Sequence, residues 1–379
     1  MKFNIDITGL KTPCYIVDER LIRHNLEILK KVQDEAGCKI LLATKSYSMY
    51  ATFHLICEYL AGVTSSSLHE ARLGFEEMGK EVHIYAAAYR DDDFEDIMKY
   101  SNHIVFNNPK QWNKFKNRVE AYPKKISCGI RVNPEYSSVE TEIYNPCAPG
   151  SRMGCTLENF EKGDITGIEG LHFHALCEQG ADALEGLLTA VEEKFGKYMH
   201  QMKWINFGGG HHITKEGYDI DKLIKLIKHV KETYDVEVYL EPGEAIALNA
   251  GFLVTSVLDV MQNGIDIAIL DTSAECHMPD VIEMPYRPPI LDSGMPGEKA
   301  YTYRLGSATC LSGDIIGDYS FDKPLEEGDK IILGDMAIYS MVKNNTFNGI
   351  NLPSIALYTE KKGLKVLKEF GYEDFKSRL

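Results

Sequence analysis

Lys39-Ile-Leu-Leu-Ala-Thr-Lys45-Ser-Tyr47 is a run in which four apolar residues lead to a lysine that no packing argument requires. The apolar part has the length and composition of a buried strand, which places Lys45 at the strand's end. A lysine shielded from water there has a lowered pKa and becomes a nucleophile able to form a Schiff base with an aldehyde. The plain alternative is a strand-end lysine whose stem lies on apolar surface while its charge reaches water. The flanking sequence decides between the two.

Working outward, Cys14-Tyr-Ile-Val-Asp18 reads as a short strand and Glu19 to Ala36 as a helix ended by Gly37. Beyond it, strand-like runs recur at 39–44, 62–66, 82–87, 103–106, 126–132, 168–174, 203–207 and 236–241, eight in all. Helix-like segments separate them. In the clearest, Asp219 to Tyr234, the residues Ile220, Leu223, Ile224, Ile227 and Val230 share one helical face. Eight such units in succession predict a (β/α)8 barrel of the TIM type, an α/β fold, over residues 20–245. No G-x-G-x-x-G opens any of the helices, so a dinucleotide fold has no support. After about residue 245 the runs Phe252–Met261, Ile265–Leu270, Lys299–Leu305 and Lys330–Leu333 are separated by Gly, Pro and Asp with little helical periodicity. They predict a second, mainly β domain of residues 246–379. Residues 1–19 are assigned to it, because their strand lies outside the eight. Between Pro134 and Gly154, three prolines and two glycines mark the longest irregular stretch inside the barrel, a candidate functional loop.

The 379 residues are 44% hydrophobic and 26% charged, the balance of a soluble globular protein. A net charge of -15 argues against nucleic acid as a partner and suits a cationic ligand. The nine cysteines include no C-x-x-C pair and no cluster at zinc spacing, so neither a disulfide framework nor a metal is expected. There is no apolar stretch of spanning length and no secretory signal; the expectation is a cytoplasmic protein without a membrane partner.

In such barrels the chemistry gathers at the C-terminal ends of the strands, with phosphate groups often held after the seventh and eighth. The seventh strand here runs into Gly208-Gly209-Gly210, whose backbone N–H groups are free to curl round an anion. The eighth ends in Glu241-Pro242-Gly243, putting a carboxylate at the barrel mouth. Such a group can keep a pyridine nitrogen protonated, so that a pyridoxal ring acts as an electron sink. The sixth ends in His172-Phe173-His174, where alternation sends both histidines to one side. Arg131, ending the fifth, is a partner for a phenolate or phosphate oxygen, or a salt-bridged strand end.

The order Lys45, Arg131, His174, Gly208-Gly-Gly, Glu241-Pro-Gly, Cys310, Tyr339 resembles the fold-type III pyridoxal-phosphate decarboxylases, which include ornithine and diaminopimelate decarboxylases and have alanine racemase as a fold relative. The match extends over nearly the whole chain. It implies a homodimer whose active sites are completed across the interface, with pyridoxal 5'-phosphate as cofactor. Lys45 would hold the cofactor's aldehyde, His174 would stack on its ring, Glu241 would hold the ring nitrogen, and Tyr339 with the glycine loop would bind the phosphate. Cys310, within Gly306-Ser-Ala-Thr-Cys310-Leu-Ser-Gly-Asp314, matches the cysteine that enters the neighbouring subunit's site and helps to protonate the product carbon.

Two departures from the family pattern narrow the substrate. Most of these decarboxylases read E-P-G-R, whereas the fourth residue here is Glu244, which exchanges a positive charge for a negative one beside the site. His174-Ala-Leu-Cys-Glu178 replaces the H-V-G-S of the ornithine enzymes, which puts a serine contact to phosphate in doubt at Cys177. With Glu275-Cys-His-Met-Pro-Asp280 and Glu283-Met-Pro-Tyr-Arg-Pro, the pattern most resembles the carboxynorspermidine/carboxyspermidine decarboxylase branch. Glu244, Asp280 and Asp314 are the candidates for gripping a cationic polyamine substrate. Diaminopimelate decarboxylation is the alternative, and a non-catalytic pyridoxal-binding regulator is the alternative of another class.

Overall fold

The computed structural model describes residues 3–139 and 141–379. The chain divides into two compact units, Arg23–Ile246 and Met1–Ile22 with Ala247–Leu379. A short strand, β1 (Cys14–Asp18), belongs to the second unit. The first unit closes eight parallel strands into a barrel: β2 (Lys39–Ala43), β3 (Gly62–Ser65), β4 (Glu81–Tyr85), β5 (His103–Phe106), β6 (Ser127–Arg131), β7 (Gly170–His172), β8 (Trp204–Asn206) and β9 (Glu237–Leu240). These are the eight runs expected from the sequence. They are buried along almost their whole length, as strands covered on both faces must be, which is why they read as continuous apolar runs without alternation.

Closure depends on residues that give up volume. Trp204 on β8 fills the barrel interior with Leu41, Val105 and Tyr239. A Cβ on Gly129 would lie 2.3 Å from Trp204 Cη2, and one on Gly170 would lie 2.1 Å from its Cδ2. The glycines inside β6 and β7 are therefore the space that the indole occupies. The helices follow the sequence signals closely. Glu19–Ala36 stops at Gly37, which has φ +66°. Ile220–Tyr234 is capped by Asp219, whose side chain accepts the Lys222 N–H, and ends at Asp235 with φ 54°.

In the second unit β1 pairs antiparallel with β10 (Gly251–Asn263) and parallel with β15 (Ser354–Thr359). The remaining strands are β11 (Ile265–Leu270), β12 (Tyr301–Ser307), β13 (Ile315–Phe321), β14 (Lys330–Gly334) and β16 (Gly363–Lys368). Their order is β13-β12-β11-β10-β1-β15-β16, with β14 also on β10. Tyr15, Leu253, Leu305, Tyr319 and Leu333 anchor its core. No helix among the described residues is long and apolar enough to cross a membrane.

Candidate active site

A cavity of about 260 Å³ opens at the C-terminal ends of the barrel strands, and Lys45, Arg131, His172, His174 and Glu241 all line it. They come from the ends of β2, β6, β7 and β9, so strand polarity alone brings together side chains nearly 200 residues apart in the chain. Lys45 lies two residues beyond the end of β2. Its side chain is open to the cavity but surrounded by protein. Although the side chain is exposed to the cavity, that crowding by protein and the positive charge of Arg131 lower its pKa, against the carboxylates of Glu241 and Glu244. Lys45 forms no ion pair among the described residues, so its ammonium form is favoured only by the charges of Glu241 and Glu244 acting without direct contact.

Glu241 is 7% exposed. Burial alone would raise its pKa, but His172 and Asn206 more than reverse that and hold it at about 2. The His172 Nε2–H donates to Glu241 Oε2 at 3.0 Å and the Asn206 side-chain amide donates to Oε1 at 2.7 Å. The carboxylate is ionised. Burial lowers the pKa of His172 against the opposing charge of Glu241, and its Nδ1 has no partner among the described residues.

The triple glycine has a use other than the one its sequence suggested. Gly208 N–H is spent on Asn206 Oδ1 at 2.8 Å and Gly209 N–H on His174 Nδ1 at 2.8 Å. A Cβ on Gly208 would come within 2.6 Å of His174 Cβ, and one on Gly209 within 3.0 Å of His174 Cε1 and 2.7 Å of the Glu241 carbonyl oxygen. The loop is thus a seat for the imidazole, and of its three amides only that of Gly210 has no acceptor among the described residues. Because Nδ1 accepts, the ring proton of neutral His174 sits on Nε2. Burial and the nearby charges of Lys45 and Arg131 push its pKa well below the usual imidazole value. Phe173 points the other way and stacks on Phe207 at 5.3 Å, as strand alternation requires.

Arg131 is buried and donates to the His174 carbonyl at 2.9 Å, with its guanidinium 4.7 Å from the centre of the Tyr85 ring. Tyr85 is a residue that sequence reasoning missed. It lines the cavity, lies 5.6 Å from the His172 ring in a stacked arrangement, and donates its hydroxyl to Asn107 Oδ1 at 2.7 Å. Its signal was present: alternation along Val82-His83-Ile84-Tyr85 sets Tyr85 on the same side as His83, at the mouth end. Arg152 and Met153, from the proline-rich loop, also line the cavity.

Glu244 is half-buried in the first turn of the short helix Glu244–Ala247. Cys310, Asp280, Asp314 and Tyr339 belong to the other unit. Cys310 is exposed, its N–H donating to Asn348 Oδ1 at 2.7 Å. Tyr339 adopts φ 46°, a left-handed conformation costly for a bulky residue and one that clusters at functional sites. Asp280 shares the Lys343 ammonium with Glu283. Asp314 corrects the sequence expectation. Its carboxylate is buried and accepts from Ser273, Ser307 and Thr309 side chains and from the N–H groups of Ala274 and Glu275, which leaves no lone pair for a substrate ammonium.

The cavity offers an amine of lowered pKa, an ionised carboxylate and a neutral imidazole of fixed tautomer. That donor set fits a pyridoxal group: the amine for its aldehyde, the carboxylate for its protonated nitrogen. The comparisons agree in kind. The chain matches the family model described as pyridoxal-dependent decarboxylase, C-terminal sheet domain, over residues 14–337. It is 47% identical over 380 residues to a carboxynorspermidine/carboxyspermidine decarboxylase of Campylobacter jejuni, covering 97% of this chain and 98% of that one. It is 41% identical over 378 residues to a carboxyaminopropylagmatine decarboxylase of Synechocystis, covering 99% and 97%. The crystal structure of the C. jejuni carboxynorspermidine decarboxylase complexed with norspermidine superposes with a TM-score of 0.91 at 45% identity, covering 98% of this chain and 100% of that one.

Proposed function

Since the chain belongs to the pyridoxal-dependent decarboxylases, we propose that it removes CO2 from a carboxylated linear polyamine, carboxynorspermidine or carboxyspermidine, to give norspermidine or spermidine. The observation that carries the reaction is Lys45, an amine of lowered pKa in a cavity that also holds an ionised carboxylate. The substrate class rests on the full-length likeness to the C. jejuni enzyme and on the acidic Glu244.

When bound, pyridoxal phosphate supplies an electron sink for the pair left behind as the C–CO2 bond breaks. The residues divide the remaining work. Lys45, its pKa lowered, would hold the cofactor's aldehyde until the substrate amine takes its place. Glu241, with its charge fixed by His172 and Asn206, holds the ring nitrogen protonated. His174 is the ring's aromatic neighbour, and its Nδ1 is anchored by Gly209 N–H so that it cannot turn. Gly210 N–H would hold the phosphate, and Arg131 an oxygen of the cofactor. Cys310 of a second copy of the chain returns a proton from its Sγ to the carbon that lost CO2, which makes the working unit a homodimer with shared sites. Glu244, beside Lys45, draws the substrate's ammonium groups.

Carbon dioxide release from carboxynorspermidine, carboxyspermidine, carboxyaminopropylagmatine and diaminopimelate, measured side by side, tests the reading. The first two should lead. The third, which ends in a guanidinium group, is the substrate named for the Synechocystis relative and is the second reading; turnover led by it would move the assignment there. Glu244→Arg should weaken the polyamine substrates at least tenfold while leaving cofactor affinity nearly unchanged. Equal losses would make Glu244 structural. Mixed Lys45→Ala and Cys310→Ala subunits should regain activity through hybrid dimers, and hybrids that form without regaining it would refute the shared site.

A further inference from the structure

Two segments of the β domain, one carrying Glu275 and the other Cys310, are joined by a single buried carboxylate. Asp314 is 2% exposed. Its Oδ1 accepts the N–H of Ala274 at 2.8 Å and of Glu275 at 3.2 Å. Its Oδ2 accepts the hydroxyls of Thr309 at 2.6 Å and Ser273 at 2.7 Å, and that of Ser307. The N–H of Glu275 and the side chain of the residue just before Cys310 thus meet on one group. All five partners donate. Only an ionised carboxylate accepts on both oxygens, since an amide in its place would turn an N–H2 toward other donors.

A second tie joins the same segments independently. Asn345 donates its backbone N–H to the Cys276 carbonyl and its side-chain amide to the Glu275 carbonyl, both at 2.9 Å. Three residues later, Asn348 accepts the Cys310 N–H at 2.7 Å. The backbone around Cys310 is therefore gripped from two sides while Cys310 itself stays exposed.

We propose that Asp314 is a positioning residue: by pinning the turn before Cys310 to the N–H of Glu275, it sets Cys310 and Glu275 as one rigid pair. This rests on the decarboxylase reading, in which Cys310 returns the proton. It also reassigns Asp314, which acts through Cys310 and does not touch substrate. A proton donor must sit within hydrogen-bond reach of its target, and a displacement of about 1 Å costs on the order of a hundredfold.

The test uses the full chain loaded with pyridoxal phosphate and carboxynorspermidine as substrate. Asp314→Ala should lower kcat about 10- to 100-fold with KM within about twofold. The double variant with Cys310→Ala should be no slower than Cys310→Ala alone. Additive losses, or a loss expressed in KM, would overturn the proposal. Hydrogen exchange reads the clamp without reference to activity: peptides spanning 273–276 and 307–314 should lose protection together in Asp314→Ala. If either keeps its protection, the clamp does not exist. Thr309→Val and Ser307→Ala, which each remove one donor, give the same pattern in milder form should Asp314→Ala not fold. If wild-type protein releases no CO2 from carboxynorspermidine while both peptides loosen in Asp314→Ala, the substrate reading has failed and the clamp stands.

Discussion

Lys39 and Lys45 stand at the two ends of one strand, and the barrel treats them in opposite ways. At the N-terminal end, Lys39 Nζ lies 2.6 Å from Glu81 and 3.1 Å from Glu237, and 5.3 Å from the centre of the Tyr239 ring. Its partial burial would lower its pKa, but the hydrogen bonds it donates to Glu81 and Glu237 prevail and raise it. At the C-terminal end, Lys45 has crowding without pairing, and its pKa falls. A lysine ion-paired to carboxylates is a strut; one without an ion pair is open to act as a nucleophile.

The polar groups around each lysine differ in the same sense. Near Lys39, the His83 and His103 rings stack at 3.9 Å with an 8° angle, and Glu81 accepts from both Lys39 and Tyr239. Glu81, His83 and His103 bring potential ligand atoms within 4.8 Å of one another. Parallel rings carry their lone pairs in parallel planes, however, which does not suit convergence on one ion. Both rings keep an Nδ1 without a partner among the described residues. At the mouth the Nδ1 of His172 likewise lacks a partner among the described residues, but there His172 and Lys45 line a cavity that can take a ligand.

Substitutions at the two ends should separate accordingly. Lys45→Ala should abolish CO2 release, by about 10⁴-fold or more, together with the visible absorbance of bound cofactor. Lys39→Ala should leave turnover within about twofold. Comparable losses from both would erase the contrast. Next in size, Glu241→Gln should slow kcat on the order of a hundredfold because the ring nitrogen loses its anionic partner, whereas Glu81→Gln should leave kcat alone. Gly209→Ala should lower kcat about tenfold by displacing His174, whose Cε1 would lie 3.0 Å from the new Cβ. An unchanged rate there would mean that the imidazole seat does not matter.

The smallest effect is on stability. Lys39→Met leaves two part-exposed carboxylates facing each other and should cost about 1 kcal/mol in denaturant unfolding, less in high salt. Acid should act on both ends alike, because Glu81 and Glu241 are each held at about 2. A carboxylate depressed in the folded state stabilises fully above its unfolded value of about 4.3, and that contribution disappears as pH falls through the folded value. Unfolding followed from pH 5 to pH 2 should show this loss, and either Gln variant should flatten it.

Much of this architecture was legible in the chain. Buried strands announce themselves as apolar runs, and strand polarity then assigns Lys45, Arg131, His174 and Glu241 to one rim without further information. What was not legible depends on long-range pairing. That Asn206 and His172 fix the charge of Glu241, or that Gly209 fixes the tautomer of His174, follows from hydrogen bonds between strand ends that a linear reading cannot register. Asp314 shows the limit most clearly. An aspartate in a loop near a cysteine reads as a free charge, but three of its five donors come from a segment some forty residues before it, and only folding reveals that it is spent.

Borohydride reduction of the protein loaded with pyridoxal phosphate, followed by peptide mapping, tests the contrast between the two lysines most directly. Reduction fixes the cofactor to whichever amine holds it. The label should appear on the peptide containing Lys45 and be absent from Lys39 and from every other lysine. Label on another lysine, or its persistence in Lys45→Ala, would contradict the account.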